Sequence, residues 1–403
     1  MRLQLEQNIL KYNYYKIFTK RVFLPLIAIF LIDQGGVNLS QIAIMASITA
    51  IAQFVMEIPS GYIADRWGHK RSLVLGSFIG ALSVLPYIFF PGFIGGLIAS
   101  VLFFSGYSFL SGTLQAFMHE TLLGLGRDQE YSEIMGKGQS FGLIGNIVLV
   151  SLVPLTYAIH PRVPFILGFL CLFIAFLIVL SFAEPPVRVS VKEEGYQKGT
   201  LEKLRSLSER VPLLKMFLVF LIFGIVSAGF DNSVMYREVI FKDVGIPVTS
   251  FGFLLAFGSL LAAIGGRYIH HLKKLSPHTF YVFDAGYFVL ACMLVGLTHS
   301  PIVLVIAFAL FPAYGRTRDI IFESQVFEEF PYSNYKATMI SVMNFIGLLN
   351  SVWIPLLLAA LVGQSSLTSG YLYFGFVLMV ILIPIILLQR FVSKGKAEVS
   401  ASQ

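Results

Sequence analysis

Charged residues are what this sequence has least of. Only 13% of its 403 residues are Asp, Glu, Lys or Arg, against roughly 25% in ordinary soluble domains. Hydrophobic residues make up 56%. A globule with so few charges would not stay dissolved in water. The shortage of charge therefore excludes a soluble domain and indicates a membrane protein.

Cysteine is also scarce, since the chain contains only Cys171 and Cys292. Both lie in apolar runs of different halves, so we expect two buried thiols rather than a disulfide or a redox centre. Zinc-ligand spacing, a glycine-rich phosphate loop and a nucleophile elbow are likewise missing from the sequence. We therefore predict no catalytic residue, no metal site and no cofactor, and do not expect an enzyme.

Long apolar runs fill most of the chain. A helix needs about 20 apolar residues to cross the ~30 Å hydrocarbon core, and a spanning segment must satisfy its own backbone hydrogen bonds. The runs therefore predict an all-α membrane protein with twelve transmembrane helices. The predicted spans are 14–35, 39–61, 72–90, 93–122, 133–158, 163–183, 213–236, 248–269, 277–298, 301–325, 336–361 and 368–390.

One long polar stretch, 184–212, opens on a double proline and divides the spans six and six. We predict two six-helix bundles, 1–183 and 213–403, joined by a cytoplasmic linker over 184–212. Leucines at helical spacing in the linker favour a short amphipathic helix on the membrane surface. A solvated spacer helix is the alternative.

The positions of Lys and Arg predict the orientation, because cytoplasmic loops carry an excess of both. With both termini in the cytoplasm, all but three of the 29 Lys and Arg residues fall on the inner side, the exceptions being Arg162, Arg237 and Lys242. We expect a multi-pass protein of the cell (inner) membrane. The net charge of +7 then reflects topology and attraction to anionic lipids, and predicts no nucleic-acid partner.

A charged loop, "GYIADRWGHKR" from Gly61 to Arg71, separates the second and third spans. It resembles the loop signature of the major facilitator superfamily, Gly-x-x-x-Asp-Arg-x-Gly-Arg-Lys. The matching residues are Gly61, Asp65, Arg66, Gly68 and Lys70, and His69 stands where the family usually has Arg. Four further segments resemble the family in the same order: "EIPSG" (57–61), "SGTLQAFMHETL" (111–122), "AEPP" (183–186) and "KATMIS" (336–341).

The resemblance implies a monomeric secondary transporter that works by alternating access on a small-molecule substrate. It also implies a conformational latch on the inner face, in which Asp65 meets the N-terminus of span eleven. The remaining residues of the latch are Gly61, Arg66, Gly68, His69, Lys70 and Glu120. Gly61 would permit close helix approach and Gly68 a tight turn. The alternative is that these charges only set the topology.

Charged residues within spans are costly, so each is a functional hypothesis. The candidates for substrate binding or proton coupling are Asp33, Glu57, Asp231, Arg316 and Asp319. Arg316 and Asp319 lie three residues apart, so they can share one helix face. The alternatives are a self-neutralising structural pair for these two, interfacial exposure for Asp33 and Asp231, and a packing or latch role for Glu57.

We predict proton-coupled efflux of a small amphipathic or drug-like molecule. Drug antiporters of this superfamily usually carry a glycine-proline signature in helix five, whereas "GKGQSFGLIGNI" keeps Gly138, Gly142 and Gly145 without a proline. Proton-coupled uptake of a small metabolite is therefore the main alternative. A receptor or sensor that uses the same fold without moving solute is the other.

Overall fold

The computed structural model describes residues 2–186, 213–330 and 336–401, which are almost entirely helical. Most of the predicted linker, including its amphipathic helix, lies outside these residues. The chain divides into two compact units, Met1–Val191 with Pro247–Ala256, and Lys192–Ile246 with Phe257–Gln403. The predicted bundle boundaries at 183 and 213 stay predictions.

The first unit contains nine of the numbered α-helices. They are α1 (Arg2–Phe18), α2 (Ile27–Gly35), α3 (Leu39–Trp67), α4 (His69–Leu82), α5 (Leu85–Phe89), α6 (Phe93–Leu110), α7 (Thr113–Leu125), α8 (Tyr131–Leu152) and α9 (Val163–Leu180). Buried aromatic and aliphatic side chains of α1, α4, α7, α8 and α9 form one core cluster of this unit, in which Phe117 stacks on Phe182.

The remaining helices follow the undescribed linker. They are α10 (Leu213–Ser233), α11 (Arg237–Asp243), α12 (Phe251–Tyr268), α13 (Pro277–Leu297), α14 (Pro301–Glu329), α15 (Lys336–Gly363) and α16 (Leu367–Ala401). Glu329 joins four of them within the second unit. Its carboxylate pairs with Lys215 at 2.9 Å and accepts hydrogen bonds from Tyr281 at 2.6 Å and Gln389 at 3.0 Å.

The long helices agree with the predicted membrane spans. In the described part of the chain, nine helical segments are long and apolar enough to cross a membrane, and Leu24–Gly35 and Val248–Ala262 are shorter apolar segments. Pro277–Leu297, for example, matches the predicted span 277–298 almost residue for residue. The apolar runs therefore located the helices well, with two informative exceptions.

The first exception is span one, which we predicted as continuous over 14–35. Helix α1 instead begins at Arg2 and ends at Phe18, and a 3-10 turn at Leu24–Leu26 precedes α2. Pro25 lies in that turn, and proline lacks the N–H that a continuous helix would need there. The start of α1 is anchored by Asn8, whose amide exchanges two 2.9 Å hydrogen bonds with the backbone of Ala183.

Three basic residues that the charge count assigned to the inner side lie beside apolar helices of the first unit. Helix α1 runs along α8, where a Cβ on Gly142 would come within 3.2 Å of the Lys16 side chain. Gly142 lies near the middle of the apolar segment Asp128–Ala158. Lys16 is therefore at mid-span, and Lys20 and Arg21 follow it in the break between α1 and α2.

The second exception is span four, which consists of α6 and α7 with a break at Ser111 and Gly112. Gly112 has φ +72°, a backbone conformation that side chains other than glycine rarely adopt. No side chain caps the N-terminus of α7 by a hydrogen bond. Spans one and four of the first unit are thus discontinuous, as is span three, in which Ser83 and Val84 separate α4 from α5.

Candidate functional site

The charged loop forms the junction between α3 and α4. Gly68 has φ +93°, which explains why glycine occupies this tight turn. His69 begins α4, and its Nδ1 lies 2.9 Å from Oε2 of the buried Glu120 on α7. The structure therefore brings together two of the predicted latch residues within the first unit.

Two other predicted latch residues are more exposed to solvent than Glu120 is. Asp65 and Arg66 are exposed, and the Arg66 guanidinium donates to the Tyr62 hydroxyl one turn earlier. A Cβ on Gly61 would meet no atom within 4 Å among the described residues. The expectation that Gly61 permits close helix approach therefore stays a prediction.

Glu57 lines a cavity of about 250 Å³ within the first unit. The cavity is bounded by α3 and by the region where α6 gives way to α7, and its walls include Ser60, Ser108 and Ser111. Glu57 itself is exposed. A carboxylate in a polar cavity can exchange protons with water, so this geometry is compatible with the predicted proton carriage.

The second unit contains a buried ion pair between α13 and α14. Arg318 donates from Nε and Nη2 to the two carboxylate oxygens of Asp284, at 2.8 and 2.6 Å. The two side chains are 1% and 0% exposed. The Tyr314 hydroxyl donates a further 2.9 Å hydrogen bond to Asp284. This bidentate geometry is the arrangement in which a buried charge pair is best compensated.

Aromatic rings surround the Arg318 guanidinium. Its central carbon lies 5.0 Å from the ring centre of Phe223 and 5.6 Å from those of Phe230 and Phe322. A cation over an aromatic face is stabilised by the ring quadrupole. The rings thus hold the guanidinium away from water and fix its direction.

The remaining nitrogen of Arg318 reaches a second carboxylate. Nη1 donates to Asp319 at 2.9 Å, and the Asp319 side chain is 48% exposed. Asp231 on α10 interacts electrostatically with both Asp319 and Arg318. Two of the predicted coupling residues, Asp231 and Asp319, therefore belong to one charge network.

The sequence reading missed the centre of this network. It paired Asp319 with Arg316, whose side chain lies outside the described residues, whereas Asp319 contacts Arg318. Asp33 belongs to the first unit, where it is exposed near the end of α2 and interacts with Tyr157. The missed signal was Asp284, a lone acid in span nine that needed a buried cation as its partner.

Groups of His, Cys, Asp and Glu that could hold a metal ion are not found in the described part of the chain. The polar arrangement instead consists of charge pairs and polar cavities inside helical bundles. Such an arrangement can bind a solute and exchange protons within a membrane.

Comparison with known proteins agrees with the geometry. The family model of the Major Facilitator Superfamily matches residues 17–349. A curated relative, the "Uncharacterized MFS-type transporter YxaM" of Bacillus subtilis (strain 168), is 26% identical over 255 residues. That match covers 60% of this chain, which spans 60% of the relative's length.

Several solved transporters share the fold at low sequence identity. The nucleoside transporter NupG is 14% identical with a TM-score of 0.72, covering 96% of this chain and 98% of that chain. The POT family transporter PepTSo is 13% identical with a TM-score of 0.72, covering 97% and 98%. A D-xylose-proton symporter is 14% identical with a TM-score of 0.64, covering 95% and 96%.

These likenesses confirm the predicted fold, an all-α membrane protein with twelve transmembrane helices in two six-helix bundles. The family match extends over residues 17–349, which is most of the chain. The chain therefore belongs to the major facilitator superfamily and is a multi-pass membrane protein.

Proposed function

We propose that the protein is a proton-coupled exporter of a small amphipathic molecule, acting as a monomer in the cell membrane with both termini in the cytoplasm. The observation that carries proton coupling is Asp319. It accepts a hydrogen bond from the locked Arg318, yet its side chain is half exposed. Asp319 can therefore take up a proton from water, whereas Asp284 is bound on both oxygens.

Protonation of Asp319 would weaken its contact with Arg318, because a neutral carboxyl loses the charge-assisted part of that hydrogen bond. Repulsion from Asp231 would fall at the same step, since Asp231 interacts with the same two groups. A proton would thus alter the charge balance of the network without breaking the Asp284–Arg318 pair. Such a local change can bias a transporter between two conformations.

The test uses purified protein in liposomes, with a pH-sensitive dye inside and a compound that stabilises the protein against heat as substrate. In inside-out liposomes with an acidic interior, an exporter should accumulate the compound while protons leave, so the internal pH rises. A symporter for uptake should instead accumulate it in right-side-out liposomes with an acidic exterior. Accumulation without proton movement would refute proton coupling, and binding without flux would favour a receptor.

We also propose that the charged loop and Glu120 form a latch that favours one conformation. Replacing Asp65 by Asn should weaken the latch and raise labelling from the inner side of a cysteine introduced at Gly136. A Cβ at Gly136 meets no atom within 4 Å among the described residues, whereas one at Gly138 would collide with Tyr12. The native cysteines, Cys171 and Cys292, are buried, so the label reports on the new thiol.

The matched control for the latch is Asp128→Asn, which removes a carboxylate outside the charged loop. Labelling at position 136 should be unchanged in this control. Equal labelling of the Asp65→Asn variant and the parent would mean that the loop charges serve topology alone.

A further inference from the structure

A cavity of about 170 Å³ lies within the first unit, and its lining includes no residue of the charge network already described. We name it the basic cavity after two of its lining residues, Lys16 and Lys20. Tyr15 and Thr19 also line it from span one, and Tyr107 and Gln115 from span four. The sequence analysis counted the two lysines toward the positive inner side and proposed no binding role for any of these side chains.

The basic cavity lies at the middle of the spans that enclose it. Leu172 and Ala175, which line it, fall in the middle of the span Val163–Leu180. Phe103 and Leu110 line it from the central part of the segment Phe93–Leu125. Secondary transporters of many folds bind their solutes at this depth.

Two discontinuous spans of the first unit, spans one and four, meet at the cavity. Thr19 and Lys20 belong to the break between α1 and α2, and Ser111 belongs to the break between α6 and α7. Irregular backbone at membrane depth is tolerated where it is buried in protein or lines a polar cavity. The two breaks and the cavity are therefore one feature of the fold.

The cavity carries positive charge. Lys16 makes no ion pair with an acidic group in the described part of the chain, and the charge it interacts with is the like charge of Lys20. Arg21, next in sequence, lies with its guanidinium carbon 4.1 Å from the ring centre of Phe103, which is a wall of the cavity. Cationic side chains at mid-span are costly and mark binding sites or solute pathways.

Two further features favour an anion in the same place. Ser77 lines the cavity and is 5% exposed, and its Oγ has no hydrogen-bond partner of acceptable geometry among the described residues, although the Tyr15 side chain lies nearby. A buried hydroxyl without a partner is rare and needs an explanation. Helix α7 directs its uncapped N-terminus to the cavity at Ser111 and Gln115, and helix N-termini attract anions.

We propose that the basic cavity binds the anionic group of the transported solute, so that the substrate class is small organic anions with an apolar body. The anionic group would lie among Lys16, Lys20 and Ser77. The apolar body would contact Phe103, Leu114 and Leu172. This inference rests on the proposed transport function and names the substrate class for it.

The size of the cavity sets the scale of the ligand. An apolar protein cavity of about 150 Å³ accepts one benzene molecule, so a cavity of about 170 Å³ holds one ring with a small charged group. Benzoate and phenylphosphonate are therefore suitable probes. Benzamide has nearly the same shape as benzoate without the charge, and benzylamine reverses the charge.

The experiment is calorimetric titration of the purified full-length protein with these four compounds. We expect benzoate or phenylphosphonate to bind, benzamide to bind about tenfold more weakly or worse, and benzylamine not to bind, because charge-assisted hydrogen bonds are the stronger ones. Lys16→Gln and Lys20→Gln should each weaken binding of the anion about tenfold, the usual effect of losing one such bond. Benzamide binding should not change in either variant.

The matched controls separate local charge from general effects. Lys137→Gln removes a lysine that pairs with Glu133 on the surface of α8, where both side chains are 63% exposed, and should leave all affinities unchanged. Lys16→Arg should retain anion binding. Nanodiscs with and without anionic phosphatidylglycerol should give equal affinities, because a lipid headgroup does not reach mid-span; competition by the lipid would overturn assignment to a solute.

Three outcomes would overturn the proposal: equal affinity for benzoate and benzamide, unchanged anion affinity in both lysine variants, or absence of binding by both anions. The titration needs no gradient, so it is independent of transport. Anion binding that depends on the lysines, together with an absence of proton-linked flux, would refute the proposed function and leave the anion site standing. Proton-linked flux of a neutral solute would support the proposed function and refute the anion site as the substrate site.

Discussion

Removing either partner of the Asp284–Arg318 pair is expected to destabilise the second unit by about 3–5 kcal/mol, the usual cost of leaving one charge buried without its counter-ion. Both side chains are essentially inaccessible, and two hydrogen bonds of 2.8 and 2.6 Å join them. In Asp284→Asn the guanidinium would lose both of these charge-assisted hydrogen bonds and would keep the one to Asp319. In Arg318→Met the Asp284 carboxylate would keep only the Tyr314 hydroxyl.

Thermal unfolding of the purified variants measures this effect. For a unit of this size the midpoint should fall by on the order of 10 °C. The informative control is the double variant Asp284→Leu with Arg318→Met. Replacing a buried ion pair by apolar side chains of similar volume is often neutral or stabilising, so the double variant should recover most of the lost stability.

The double variant also separates structure from transport. If Arg318 serves only the fold, the stable double variant should still transport. If Arg318 orients Asp319 for proton exchange, stability should return without gradient-driven transport, and this is the result we expect. Single variants as stable as the parent would show that the pair is not a desolvated one.

Much of the fold followed from the sequence because a transmembrane helix is recognised by length and hydropathy alone. Spans such as 277–298 needed no tertiary information. The break in span one escaped this reasoning, because it depends on Pro25 and on packing of α1 against α8. From the sequence alone, Lys16 and Lys20 resemble the positively charged cytoplasmic flank of a span. Their position at mid-span follows only from the packing of neighbouring helices.

The sequence predicted which residues were candidates for the site better than it predicted which of them contact each other. Acidic residues within spans were functional hypotheses, and two of them, Asp231 and Asp319, interact within one network. Their partner could not be identified from spacing, because Arg316 and Arg318 are equally plausible by sequence. The choice depends on which face of α14 is directed at Asp284 on α13, and that follows from packing between helices distant in sequence.

Replacing Asp319 by Asn is expected to abolish transport driven by a pH gradient and to leave counterflow exchange of substrate intact. The amide oxygen of Asn can still accept the 2.9 Å hydrogen bond from Arg318, so the local geometry should persist. The amide cannot take up or release a proton at physiological pH, which removes the step that couples the network to the gradient. Exchange of substrate for substrate needs no net proton release and should continue.

The measurement compares two assays on the same liposomes. Gradient-driven accumulation should fall to the level of protein-free liposomes, while labelled substrate should still exchange against unlabelled substrate at a rate close to that of the parent. Glu133→Gln is the matched control, because it neutralises a carboxylate in a surface pair with Lys137 and should affect neither assay. Loss of both activities would indicate a structural or substrate-binding role for Asp319, whereas full gradient-driven transport would exclude it as the proton carrier and direct attention to Glu57 or Asp231.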